Sequence, residues 1–162
     1  MGYVLDTNVF IESKNRYYAF DIAPKFWTSL VQHGLGGTVH SIDRVKDELL
    51  RGNDDLAVWV KDTAAHLFVS TDDNQVIAAY RDIMQWVQSA AYLEEAKTMF
   101  AGAADGWVIA YAKASGRTVV SHETRADPAS RRRVKIPDVC DAFSIPYIGL
   151  FQMLRDLGIV FS

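Results

Sequence analysis

Three features of the sequence predict an α/β fold, a three-layer sandwich in which helices flank a short, mainly parallel central sheet. Short apolar runs at residues 3–5, 38–41, 118–121 and 145–148 alternate with segments of helical periodicity. Glycines at 34, 36, 37, 52, 116 and 158 fall where those helical segments stop. The connections between apolar runs are long enough for helical crossovers, which parallel pairing requires.

The first run, Tyr3-Val4-Leu5, ends in Asp6-Thr7-Asn8. It reads as a buried strand that delivers a carboxylate to its end, where ligands bind in parallel α/β sheets. Val9, Phe10 and Ile11 then begin a short helical turn, and residues 15–18 make a polar and aromatic connection. Pro24 suits a first helical position, with Phe26, Trp27, Leu30 and Val31 at helical spacing after it. A second strand at 38–41 ends in Ser41, an N-cap candidate for a helix over 42–51. On that helix Glu48 shares the edge of the apolar stripe Ile42, Val45 and Leu49. An acid there either reaches solvent or Arg44, or serves a buried purpose, because burying an unpaired charge is expensive.

Asp54-Asp55 caps the next helix, and residues 67–70 form a short extended piece. The longest helix starts after Thr71-Asp72-Asp73, with Val76, Ile77, Tyr80, Ile83, Met84 and Val87 on one dry face. That face belongs to the core or to a dimer surface. Glu94-Glu95 opens a shorter helix over 92–100. Asp105 begins the following one and lies on the same face as Val108, Ile109 and Ala112, as a plain N-cap or as an acid aimed inward. The strand at 118–121 ends in Ser121-His122-Glu123, and residues 124–135 are a polar, arginine-rich loop. A short helix from Ile136-Pro137-Asp138, a last strand at 145–148 and a C-terminal helix over 149–157 complete the chain.

With 162 residues and 49% apolar content, one domain over residues 1–162 is expected. No apolar stretch nears the ~20 residues of a membrane span and no leader precedes the first strand, so a soluble, cytoplasmic protein without membrane contact is expected. The lone Cys140 excludes an internal disulfide and a cysteine-built zinc site. The net charge of -3 gives no global attraction for nucleic acid, yet residues 117–135 carry six basic side chains against two acids. The four histidines show no metal spacing, and strand alternation sends His122 to the face opposite Glu123.

Asp6, Glu48, Asp105 and Glu123 thus stand at strand ends or on inward helix faces. Clustered carboxylates make chemical sense around a hard divalent cation such as Mg²⁺ or Mn²⁺, which prefers oxygen ligands and keeps waters that can be activated. Tyr3-Val4-Leu5-Asp6-Thr7-Asn8, Val45-Lys46-Asp47-Glu48-Leu49, Asp105-Gly106-Trp107-Val108-Ile109-Ala110 and Thr118-Val119-Val120-Ser121-His122-Glu123 resemble, in order, the motifs of PIN-domain ribonucleases. The resemblance implies a PIN-like, Rossmann-like fold and a metal-dependent endoribonuclease. It also implies the toxin of a bacterial type II toxin-antitoxin pair, commonly dimeric and silenced by an antitoxin protein.

Carried over by position, Asp6, Glu48, Asp105 and Glu123 would be the catalytic, metal-binding acids. Asn8 or Thr7 would support Asp6, with Ser121 also supporting, and Asp127 is the reserve for the fourth acid. The stretch from Ser121 to Asp127 lacks the phenylalanine that closes this motif in many members, and Ile136-Pro137-Asp138-Val139-Cys140, with the long arginine loop before it, suggests a divergent subfamily. Arg125, Arg131, Arg132 and Arg133 are the expected RNA contacts, or else an antitoxin-docking or solvated loop. The competing expectation is a catalytically inactive PIN-like binding module in a larger assembly. A phosphoacceptor domain is disfavoured because no lysine follows a late strand, and a nucleotide-binding loop because Gly34-Leu35-Gly36-Gly37 precedes a strand.

Overall fold

Five strands, β1 (Tyr3–Leu5), β2 (Val39–Ile42), β3 (Phe68–Val69), β4 (Thr118–Val120) and β5 (Tyr147–Ile148), form one sheet in the order β3-β2-β1-β4-β5. The computed structural model describes residues 2–127 and 129–161. Every pairing is parallel, with Val4 opposite His40 on one side and Val119 on the other. All three residues of β1 and of β4 are buried. Because successive side chains point to opposite faces, both faces of the sheet are covered, which gives the expected three layers.

Between the strands run α1 (Thr7–Glu12), α2 (Pro24–Leu35), α3 (Asp43–Leu50), α4 (Asp55–Asp62), α5 (Asn74–Ser89), α6 (Glu94–Gly102), α7 (Asp105–Ser115) and α8 (Ile136–Ala142), and α9 (Leu150–Asp156) follows β5. Pro24 stands in the first turn of α2, and Gly116, at φ 72°, closes α7 in the left-handed conformation that glycine adopts without strain. The chain winds from β1 to β2 and β3 on one side, then crosses to β4 and β5 on the other. The winding reverses at β1 and β4, so the crevice beyond their carboxyl ends is the topological switch point.

Two local expectations are corrected. Ser41 is not an N-cap: it lies inside β2, where its hydroxyl donates to the Leu5 carbonyl at 2.6 Å, and the extended Ile42 precedes α3. Residues 15–18 are no simple connection either, because α1 widens into a π-helical turn, Ser13–Tyr17, closed by Tyr18 N–H donating to the Ser13 carbonyl. Lys14 in that turn pairs with Asp54 and Asp55 at 2.9 and 3.1 Å. On α5 the dry face divides: Val76, Ala79, Ile83 and Val87 are buried, whereas Ile77, Tyr80 and Met84 line an open groove.

Close packing predicts opposite effects at two helical glycines. A Cβ on Gly34 would fall 2.2 Å from Cδ2 of the buried Leu67, whereas one on Gly102 meets nothing within 4 Å. Overpacking costs about 1–3 kcal/mol and helix propensity returns up to about 1. Gly34→Ala should therefore lower the urea midpoint, and Gly102→Ala should hold or raise it.

Candidate active site

Asp6 leaves β1 in extended geometry and caps α1: its Oδ1 accepts from Val9 N–H at 3.1 Å. Its Oδ2 accepts from the Ser121 hydroxyl at 2.8 Å, across the seam between β1 and β4. With 1% of its surface exposed, Asp6 is pushed by burial up to about 7; Asp105 and Glu123 add to the rise, and Ser121 and Val9 oppose it. Asp105 stands at the first position of α7, one residue beyond the capping Ala104, so it is not an N-cap. Burial, then repulsion from Glu123 and Glu48, raises it also to about 7 against the pull of Arg133.

Glu48 clamps two elements to its own helix. Oε1 accepts from the Thr7 hydroxyl at 2.5 Å and Oε2 from Ala104 N–H at 2.9 Å. The choice between solvent and a buried purpose is therefore decided by packing, and Arg44 turns elsewhere. Glu123, after β4, accepts from Ile136 N–H at 2.8 Å and stands 3.5 Å from Arg133. Its own N–H donates to Ser121 Oγ at 3.0 Å, so one serine organises both Asp6 and Glu123.

Glu48, Asp105 and Glu123 line one cleft of about 380 Å³ with Thr7, Asn8 and Arg133, and apolar Ile11, Met99 and Phe100 form its wall. Asp6 is close enough to feel Asp105 and Glu123. Four acids from four segments thus meet at the switch point. Among the described residues no three His, Cys, Asp or Glu side chains could hold a metal ion as they stand. The oxygens of Asp6, Glu48 and Glu123 are turned to Ser121 and Val9, to Thr7 and Ala104, and to Ile136 and Arg133. The donor chemistry nevertheless fits a hard cation: all the donors are carboxylate oxygens, and Mg²⁺ is held by one or two carboxylates plus waters.

Several expected residues take other places. Thr7 supports Glu48 and not Asp6, and Asn8 is exposed on the cleft wall. Asp127 is exposed in a turn of its own, accepting from Ala129 N–H, and does not line the cleft. The loop is drawn toward α8 by Ala126 N–H on Asp138 and by Arg125 on Asp141 at 2.6 Å. Of the four arginines only Arg133 lines the cleft; Arg131 bonds the Ser130 carbonyl, and the Arg132 N–H reaches Ser130 Oγ. His122 is not sent away from Glu123, because strand geometry ends at Val120; both line a neighbouring hollow. Burial lowers the His122 pKa, with Glu12 opposing.

Sequence reasoning missed the surroundings: Tyr17 and Lys135 beside His122, and Arg44, Arg51 and Trp107 beyond Glu48. Arg44 was tied to Glu48 by their spacing, one turn apart on α3, and Trp107 to Asp105 by its place in that motif, whereas no signal tied Tyr17 or Arg51 to the acids.

A parallel α/β sandwich with acids gathered at this switch point is a PIN-like fold. The chain belongs to the family described as a domain of unknown function (DUF4411), which matches residues 3–161. Its fold is similar to the crystal structure of FitAcB from Neisseria gonorrhoeae, with 19% identity and a TM-score of 0.55 over 90% of this chain and 96% of that one. It is also similar to VapBC2 from Rickettsia felis bound to a DNA fragment from their promoter, with 12% identity and a TM-score of 0.56 over 92% and 98% of the two chains. No curated protein matches the chain in sequence.

Proposed function

We propose that the protein is a metal-dependent endoribonuclease, the toxin of a bacterial toxin-antitoxin pair, acting in the cytoplasm as one PIN-like domain. The observation that carries this function is the meeting of Asp6, Glu48, Asp105 and Glu123 at the switch point, with two of them raised to about 7. Repelling, partly dry carboxylates are costly unless a cation joins them. The toxin role and the antitoxin partner rest on the ordered motifs and on the fold shared with FitAcB and VapBC2. The exposed groove of α5 suits a homodimer contact, and no described helix is long and apolar enough to cross a membrane.

Asp6, Glu48, Asp105 and Glu123 would hold Mg²⁺ or Mn²⁺. Such an ion polarises a phosphoryl oxygen and a bound water and offsets the charge that develops at phosphorus. Thr7 and Ser121 hold Glu48 and Asp6 at the cleft, and the carboxylate oxygens would turn from these partners to meet the ion. Asp105 would take the proton of the attacking water on a carboxylate oxygen that the ion leaves free, as the bond from phosphorus to the leaving ribose oxygen breaks and that oxygen takes a proton from water. The turned-away carboxylate oxygens favour the one rival, an inactive binding module of the same fold.

Metal-stripped protein incubated with a mixed RNA pool decides between them. Cleavage should appear with Mg²⁺ or Mn²⁺ and vanish in EDTA. Glu123→Gln should lose about 10²-fold or more in rate, whereas Asp127→Asn, outside the cleft, should cut as wild type. Equal loss in both variants, or no metal-dependent cleavage, would sink the assignment.

A further inference from the structure

Among the described residues Arg133 is the one basic side chain that lines the acid cleft. Its Nη2 stands 3.5 Å from Glu123 Oε2, and its charge also reaches Asp105, where it opposes the rise that burial and the neighbouring acids cause. A guanidinium keeps its charge throughout the working pH range, so it is a permanent counter-ion for the cluster. The contact is slight all the same: one nitrogen, at the long end of ion-pair distances, on a side chain that is 53% exposed. Such a pair contributes little and gives way readily. Arg125 in the same loop shows the contrast, because it grips Asp141 with two nitrogens at 2.6 and 3.2 Å.

The chain around Arg133 is held. The Arg131 carbonyl accepts from Leu93 N–H at 3.0 Å, Val134 is buried, and Ile136 N–H donates to Glu123 at 2.8 Å. With the backbone tied on both sides, the side chain is the part left to move. It also stands on a rim, since Arg133 lines both the cleft and the adjoining hollow that contains Glu12. Glu12 pairs there with Arg16 at 3.0 Å and offers a second carboxylate to an arginine that turns out of the cleft.

We propose that Arg133 is a built-in placeholder for the divalent cation. Its guanidinium compensates the acids while they are without an ion, and it must swing aside before an ion can meet Glu123, so the chain's own arginine sets the cation concentration at which the cleft loads. Two cations on one carboxylate oxygen repel each other, which makes the two occupants alternatives. The proposal rests on the cation site proposed above and adds its regulation.

Calorimetric titration of metal-stripped protein with Mn²⁺, at pH 7 and about 0.15 M salt, reads the competition directly. Arg133→Gln keeps much of the side chain and removes the charge, and it should bind Mn²⁺ about tenfold more tightly than wild type. Arg133→Lys, which keeps the charge, should stay within about threefold of wild type. Lys135→Gln removes a charge outside the cleft, where salt screens it, and should stay within about twofold. Melting curves supply the second readout, with circular dichroism checking that each variant is folded. Without metal Arg133→Gln should melt about 2–4 °C below wild type; with saturating Mn²⁺ it should match or exceed it. A variant that melts lower in both conditions would show a plain structural contact and overturn the placeholder. Mn²⁺ affinity that Arg133→Gln leaves unchanged or weakens, or that Lys135→Gln raises equally, overturns it too while leaving the cation site standing. No Mn²⁺ bound by wild type or by Arg133→Gln overturns the placeholder and the cation site together.

Discussion

Asp6→Asn is expected to cut RNA about 10²–10³-fold more slowly than wild type and yet to be the more stable protein at pH 8. Asparagine keeps an oxygen for Val9 N–H and is as good an N-cap as aspartate, so α1 should remain in place. The Ser121 hydroxyl can turn to accept from the new amide instead of donating. What disappears is a buried charge. Asp6 is raised to about 7 in the folded protein from an ordinary 3.8, so the folded state holds a proton that the unfolded state has released between those values. This group therefore contributes its full stability below about pH 4 and loses it progressively as pH rises through 7. At pH 8 the penalty is on the order of a few kcal/mol. Melting temperatures at pH 5 and pH 8 should show the variant's advantage at pH 8, and a variant less stable at both would contradict it.

Cation binding should reverse the same penalty in the wild type. Asp105 is displaced in the same direction as Asp6, by burial and by the charges of Glu123 and Glu48. Metal-stripped protein should lose stability between pH 5 and pH 8 more steeply than Asp6→Asn/Asp105→Asn. Saturating Mg²⁺ or Mn²⁺ should raise the wild-type melting temperature strongly at pH 8 and weakly at pH 5, where protons compete for the same oxygens. An ion at a hundred times its Kd adds about 2.7 kcal/mol, a shift of several degrees for a chain of this size. The double variant should respond little at either pH. Equal response of both proteins would place the ion elsewhere.

The sheet and its crossovers were legible because apolar runs, helical periods and stop glycines are local signals. Asp6 was legible for the same reason, as an acid that ends a buried run. Asp105 and Glu48 could be placed on inward faces by helix geometry, but nothing local says that Glu48 reaches Thr7 and Ala104, 41 and 56 residues away. The swapped supports share that origin: Ser121 reaches Asp6 because β1 and β4 are neighbours, a fact of topology and not of spacing. The arginine loop misled because charge density near Glu123 says nothing of direction. Asp138 and Asp141 on α8 draw Arg125 and its neighbours away, leaving Arg133 at the cleft. Tyr17 was hidden by a π-helical turn that breaks the 3.6-residue period on which the sequence reading relies.

The claim that the four acids form one cation site is tested most directly by titrating metal-stripped protein with Mn²⁺ in a calorimeter at pH 7, in two buffers of different ionisation enthalpy. Binding should be saturable and should release protons, since burial raises the pKa of both Asp6 and Asp105 toward that pH. Asp6→Asn/Asp105→Asn should bind weakly and release none. Absence of binding in the wild type, or heats and proton release unchanged in the double variant, would contradict it.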